Sequence, residues 1–355
     1  MKKLKKKINY VVTGGLGFIG SNIIKILVAK KNVNKCVIVD NYTSYINPLR
    51  WTYTDFRKSR FTDITDKTIL KKLKQKVVFE RGDCSDFKTM FNILEKYKPT
   101  IIFHTAAVPV AKIENPNVSE FRKGSIDTTI NVLDCIDLFK KKKKINFKRF
   151  VYISSSMIYG DFKNKVVGEH NEPNPKEIYG TMKLAGENIV KGFSKFANIP
   201  YTIIRPSAAY GPTDMNERVT QFLLIKAINK DVLEIHGRDE KLDFTFIDDL
   251  SDGCVKAALS KNGVNQTFNI TTGKGRSILS YAKILKKHFK DIKFKIMKRD
   301  STRPKRGTLS IKKAKKLINY KPQYDLEKGA EEYIKFIKKF KNFNLRGTAN
   351  FPKEK

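Results

Sequence analysis

The sequence has no uninterrupted apolar run approaching the roughly 18 residues a membrane-spanning helix needs. Its basic start, Met1 to Lys7, leads into a short apolar stretch that breaks at Gly14–Gly15. A signal peptide is therefore not expected, and a cytoplasmic protein is. Cysteine is sparse: Cys36, Cys84, Cys135 and Cys254 are scattered, form no CxxC pair and have no His at ligand spacing. Neither a disulfide framework nor a metal site is expected, and reduced thiols packed in the core are. Acidic side chains are also few, 35 against 72 basic ones, for a formal net charge of +37. Such a charge attracts phosphate of any kind. Arginine, however, is scarce as well: 58 of the 72 basic residues are Lys and 14 are Arg, spread along the whole chain. Nucleic-acid sites favour the planar guanidinium fork, and only Lys140 to Lys144 forms a run, so no dedicated nucleic-acid site is expected.

What is present is enough for a full core and a second lobe: 355 residues, 40% of them apolar. Continuous apolar runs at Tyr10–Thr13, Cys36–Asp40, Val77–Glu80, Ile101–His104, Phe150–Ser154 and Tyr201–Arg205 read as strands buried on both faces. Helix-period segments begin between them near Gly17, Ser85, Val118 and Ile178. This alternation predicts a doubly wound parallel α/β sheet over 1–206. From 207 to 355 the pattern loosens into a smaller α/β lobe, with some segments returning to the first unit. Helices are expected there near Val219–Asn229, Asp248–Leu259, Ser277–Phe289 and Leu326–Phe340, with strands near Phe244–Ile247 and Thr267–Ile270.

Thr13-Gly14-Gly15-Leu16-Gly17-Phe18-Ile19-Gly20 follows the first strand and opens the first helix, where backbone N–H groups and the helix dipole can meet a pyrophosphate. About twenty residues on, Asp40 ends the second strand, placed to accept hydrogen bonds from adenosine ribose hydroxyls and to repel an extra phosphate, so NAD is favoured over NADP. Asp83 ends the third strand within reach of an adenine. Ala106 and Ala107 follow the fourth strand and permit close approach. Asn41, Cys84, Ser154 and Pro206 lie at the same carboxyl edge and complete the expected cofactor contacts. His104 reads as a packed strand-end residue.

Tyr179 and Lys183 stand four apart, hence on one helix face. A nearby ammonium and a positive nicotinamide ring both favour the phenolate, which makes Tyr179 a general base, and Ser154-Ser155-Ser156 brings hydroxyls to the same edge.

These segments, TGGLGFIG, SSSMIYG, YGTMK, RPSAAYGP, DFTFIDD and the late STRP, resemble the extended short-chain dehydrogenase/reductases, in particular the NAD-dependent nucleotide-sugar epimerase/dehydratase family. The resemblance covers nearly the whole chain. It implies a Rossmann fold and a nucleotide-diphosphate sugar as substrate. Tyr179 would take the 4-hydroxyl proton, Ser155 would hydrogen-bond the same oxygen, and Lys183 would lower the phenol pKa and hold the nicotinamide ribose. A homodimer through the helices near Val118–Leu138 and Ile178–Phe196 is implied too.

Within that family, dehydratases resemble one another in an Asp-Glu pair or a Glu after the strand-end hydroxyl. Here Ser156 and Met157 stand there, and Met donates no proton. Relatives that use a Cys at the Met157 place are disfavoured on the same ground. Ala208 and Leu242 depart from the family's sugar-diphosphate contacts, so Ser155, Ser156, Arg218, Lys241 and Arg303 are the substrate-side candidates, with Arg238 a further cation. The stretch Tyr42 to Phe61 is a pocket rim or a surface excursion. The expected activity is 4-epimerisation through a transient 4-keto sugar. The alternatives are a 4-dehydrogenase or 4-keto reductase, a 4,6-dehydratase with its acid elsewhere, and a cofactor-binding sensor without turnover.

Overall fold

The computed structural model describes residues 7–41, 67–108, 118–142, 145–214 and 218–339; the stretch 42–61 lies outside them. Seven strands form one sheet: β1 (Ile8–Thr13), β2 (Val33–Asp40), β3 (Val77–Arg81), β4 (Ile101–His104), β5 (Arg149–Ile153), β7 (Tyr201–Pro206) and β12 (Gln266–Ile270). Their spatial order is β12-β7-β5-β4-β1-β2-β3, and every pairing is parallel. The chain winds outward from β1 in both directions, so the carboxyl ends of β1 and β4 flank a topological switch point, the crevice in which such sheets hold ligands.

Period-2 alternation divides the buried residues between the two faces. Val12, Ile38, Phe103, Val151 and Ile204 pack on one side with helices α1 (Phe18–Ala29), α8 (Ile247–Leu259) and α10 (Lys312–Ile318). Val11, Val37, Ile102, Phe150 and Ile203 pack on the other with α3 (Phe87–Tyr97), α5 (Thr128–Lys141) and α6 (Ile178–Ala197). Helix α2 (Lys67–Lys76) runs before β3. A short helix, α4 (Val118–Phe121), runs through a π-helical stretch, Arg122–Asp127, into α5.

The smaller lobe has its own core of Leu223, Leu233, Phe244, Tyr281 and Tyr333, carried by α7 (Val219–Ile228), α9 (Ile278–His288), α11 (Leu326–Lys339) and the short strands β8 (Ala209–Tyr210), β9 (Leu233–His236), β10 (Lys241–Leu242) and β11 (Thr245–Phe246), while a further short strand, β6 (Val166–Val167), precedes α6. Residues 247–270 and 312–318 leave this lobe and join the sheet of the first unit. Strand Gln266–Ile270, expected in the smaller lobe, hydrogen-bonds to β7 along five residue pairs.

Candidate active site

The turn after β1 is possible only with glycine at its first position. Gly14 has φ of +64°, and a Cβ there would lie 2.8 Å from the backbone of Ala106 after β4. Thr105 donates through Oγ1 to the Thr13 carbonyl at 2.6 Å and ties the two loops together. Helix α1 then starts at Phe18 with Gly17 as N-cap, and neither a side-chain cap nor an acidic residue occupies its first turn. Its orphan amides at Phe18, Ile19 and Gly20 are those an anion would satisfy.

Asp40, nearly buried, holds the rim of this turn by accepting a 3.1 Å hydrogen bond from the Leu16 amide. Asn41 donates to Asp83 at 3.3 Å, and the other Asp83 oxygen accepts from the Ser85 amide and hydroxyl at 2.8 and 2.7 Å. Burial pushes Asp83 up, but these hydrogen bonds outweigh it and hold the carboxyl below its ordinary range. Cys84 is buried, and burial raises its thiol strongly.

His104 is a packing residue. Its ring is buried between the Thr13 and Thr129 hydroxyls at 2.8 and 3.2 Å, and stacks on Phe150 and Tyr152.

Tyr179 and Lys183 begin α6. The Lys183 ammonium donates to the Ile153 carbonyl at 2.8 Å and lies 5.9 Å from the centre of the Tyr179 ring. Burial lowers its pKa to about 8, against the pull of Glu187. Burial raises the Tyr179 phenol, opposed by the Arg218 guanidinium and by a hydrogen bond with Ser155. The lowering expected from Lys183 thus comes from Arg218, which also lies over the Phe18 ring at 5.6 Å and donates to the Ala209 carbonyl at 3.1 Å. Arg218 thereby joins the glycine turn to Tyr179.

Ser155 is buried, accepts from the Met157 amide at 3.1 Å, and faces Tyr179. Ser156 is buried at the start of a 3-10 turn over Ser156–Tyr159. The Ser154 hydroxyl is turned away: it donates to Glu187 at 2.6 Å, which leaves only its backbone for a cofactor. Ala107 and Pro206 sit at the carboxyl edge after β4 and at the end of β7. Arg303 pairs with Asp300 at 3.4 Å. Lys241 and Arg238 are exposed side chains of the smaller lobe, and no side-chain hydrogen bond or ion pair among the described residues joins them to the residues above.

Three charged residues were not singled out in the sequence. Glu187 sits four residues after Lys183 and binds Arg205 within the core. Arg306 lies three residues beyond Arg303, and Glu177 two before Tyr179. The i, i+4 spacing of Glu187 was available as a signal; the other two need the fold.

A glycine turn with a free helix start, a carboxylate at the end of β2 and a Tyr/Lys pair beside a serine at the end of β5 define a dinucleotide-dependent oxidoreductase-type site. The residues fit NAD: the turn leaves no room for a side chain, no side chain among the described residues caps the start of α1, and Asp40 stands where a ribose hydroxyl would meet it.

Comparison with known proteins identifies the family. The NAD dependent epimerase/dehydratase family model matches residues 10–271, and the chain belongs to that family. A putative UDP-glucose 4-epimerase of Methanocaldococcus jannaschii is 28% identical over 345 residues, 92% of this chain and 98% of that protein. A dTDP-D-glucose 4,6-dehydratase of Dictyostelium discoideum is 28% identical over 287 residues, 77% of this chain, and the match spans 60% of that longer protein. Among solved structures, UDP-glucuronic acid 4-epimerase from Bacillus cereus in complex with UDP-glucuronic acid and NAD superimposes with a TM-score of 0.81 at 25% identity, covering 94% of this chain and 99% of that one. The protein is thus an NAD-dependent enzyme of this family. No helix among the described residues is long and apolar enough to cross a membrane, and no His, Cys, Asp or Glu group among them suits a metal.

Proposed function

We propose that the protein is a nucleotide-sugar 4-epimerase with Tyr179 as its proton-transfer residue. The observation that carries this reading is the pairing of Tyr179 and Ser155 beside a non-ionisable Met157. The site has a group to move the 4-hydroxyl proton, while the place after the strand-end hydroxyl holds no acid to expel a hydroxyl from C6.

In this mechanism Gly14, Gly17, Phe18, Ile19 and Gly20 hold the pyrophosphate, Asp40 and Asn41 the adenosine ribose, Asp83 and Cys84 the adenine side, and Lys183 the nicotinamide ribose. Ala106, Ala107, Pro206 and the Ser154 backbone complete the wall. NAD, when bound, supplies the acceptor and later the donor for the hydride at C4. Tyr179 as phenolate takes the 4-hydroxyl proton, and Ser155 hydrogen-bonds the same oxygen. The buried phenol resists ionisation, and Arg218 and Ser155 offset part of that cost. After the 4-keto sugar turns over in the site, Tyr179 returns the proton to the oxygen at C4. Ser156, Arg218, Lys241 and Arg303 are the substrate-side contacts of this reading.

The protein acts as a cytoplasmic homodimer in this proposal, through α4 to α5 and α6. Val118 and Phe196, both large, apolar and exposed, stand on these helices.

Incubation with UDP-, GDP- and dTDP-sugars, followed by NMR of the products, tests the activity. The expected result is interconversion of 4-epimers without net NADH. Loss of water identifies a dehydratase, and NADH accumulation a dehydrogenase. Light scattering in solution tests the dimer.

A further inference from the structure

Lys183 ends a flexible four-carbon stem in a compact charge that water hydrates strongly, so once buried its ammonium has to be held by its surroundings. Among the described residues it has one hydrogen-bond acceptor, the Ile153 carbonyl at 2.8 Å, and no ion pair. An ammonium carries three donors, and a desolvated charge with two of them unmet is costly. The next group it meets is aromatic. Its Nζ lies over the Tyr152 ring, 5.3 Å from the centre, nearer than the 5.9 Å that separates it from the centre of Tyr179. The negative face of a ring attracts a cation within about 6 Å, and most strongly out of water.

Tyr152 offers that face and little else. It is buried in β5, one residue before Ile153. Its hydroxyl is closed to solvent and has no hydrogen-bond partner among the described residues. Its contact with the ammonium is therefore made by the ring and not by the oxygen. The far end of the ring lies against Gly186 of α6, where a Cβ would stand 2.6 Å from Cζ of the tyrosine, so glycine lets the helix come down onto the ring. Gly186 is three residues after Lys183, on the same helix face, and the contact that sets the height of the helix also sets the depth of the ammonium. On the β4 side the ring stacks on His104, with 6.1 Å between centres and 16° between planes. Burial first, and Lys183 second, lower that imidazole to about 3, so at neutral pH it brings no competing charge.

We propose that Tyr152 is a positioning residue for the cofactor half of the site: its ring, seated against Gly186, holds the Lys183 ammonium protonated and at the height from which it meets the nicotinamide ribose. This rests on the reading of Lys183 as the group that holds that ribose. In the free protein the ring works against burial, which lowers Lys183 to about 8 while Glu187 pulls it up. The titratable groups around Lys183 are His104 on β4, Tyr152 on β5, and Tyr179 and Glu187 on α6, with Arg205 of β7 bound to Glu187. An apolar residue at 152 leaves all the other charges in place.

The test uses the full chain and two readouts. Lys183 is titrated in the cofactor-free protein by NMR of carbon-13-labelled lysine, its signal assigned by its loss in Lys183→Arg. NAD affinity is followed by calorimetry on both sides of the Lys183 midpoint. Because the protonated amine binds the ribose, affinity is constant below the midpoint of the free protein and falls above it. Tyr152→Leu removes the ring face, so the midpoint should drop by about one pH unit and NAD affinity near the wild-type midpoint should fall by about fivefold or more. Tyr152→Phe keeps the ring and should retain the wild-type midpoint and affinity. Tyr152→Met repeats the loss of the ring should leucine pack badly, and thermal melting shows which variants fold. A midpoint unchanged in the folded Leu or Met variant, or one that drops as far in Tyr152→Phe as in Tyr152→Leu, overturns the proposal. NAD affinity left unchanged by Lys183→Met overturns the ribose reading instead, and the midpoints of the free protein still decide what the ring does.

Discussion

Arg205, at the end of β7, closes a two-pronged ion pair on Glu187 of α6, with Nε 2.9 Å from one carboxylate oxygen and Nη2 2.7 Å from the other. Both side chains are essentially closed to solvent. Ser154 donates to the same carboxylate and Tyr159 accepts from Arg205 at 2.8 Å, so one buried polar chain fixes α6 against two strand ends. Removing one partner strands the other in the core. Glu187→Ala is expected to lower stability by about 3–5 kcal/mol, read from urea unfolding. A loss below about 1 kcal/mol, the scale of an exposed ion pair, contradicts this.

Tyr179→Phe removes only the phenolic oxygen. Turnover should fall by about 10²–10⁴, the usual contribution of a proton-transfer group, with NAD affinity nearly unchanged. Single-turnover kinetics beside NAD titration separate the two quantities, and retained turnover removes Tyr179 from the reaction.

Asp40→Ala should weaken NAD binding by about tenfold or more, the scale of a hydrogen bond to a charged group. NADP should gain relative to NAD, because the repelling carboxylate is gone. Calorimetric titration with both cofactors reads the ratio, and an unchanged ratio places the ribose elsewhere.

His104 makes stability depend on acid. Burial first, and the charge of Lys183 second, lower its pKa from 6.5 to about 3. The unfolded chain therefore binds a proton at pH 6.5 that the folded chain refuses until about pH 3. This contribution to stability is full above pH 6.5 and is lost progressively as the pH falls between those values. Denaturant midpoints from pH 7 to pH 4 should fall more steeply for the wild type than for His104→Gln. Parallel curves would remove His104 as the source.

The inner strands of the first unit were legible because both their faces are buried, which makes each a continuous apolar run with boundaries within a residue or two at β4 and β7, while the edge strand β3 is only half-buried. Helices α2 and α10 were not, since sequences such as Lys-Lys-Ala-Lys-Lys-Leu-Ile show little apolar face and draw their order from packing on the sheet. Nothing local told Gln266–Ile270 which sheet to join: its partner on β7 is more than sixty residues away. In the site, the glycine turn, Asp40 and the Tyr179/Lys183 spacing were readable because each is a local pattern with a local purpose. Arg218 acting on Tyr179 and Ser154 turned toward Glu187 are products of chain crossings that no spacing announces.

All four cysteines are buried, with thiols that burial pushes upward, to about 12 for Cys36 and Cys135. Cys36 and Cys254 belong to the core on one face of the sheet, Cys84 and Cys135 to the core on the other. The folded protein should therefore be inert to alkylating reagents at neutral pH. Each thiol becomes a clock for the opening of its own layer, and the order in which the four are modified in mild denaturant reads out which face of the sheet is uncovered first.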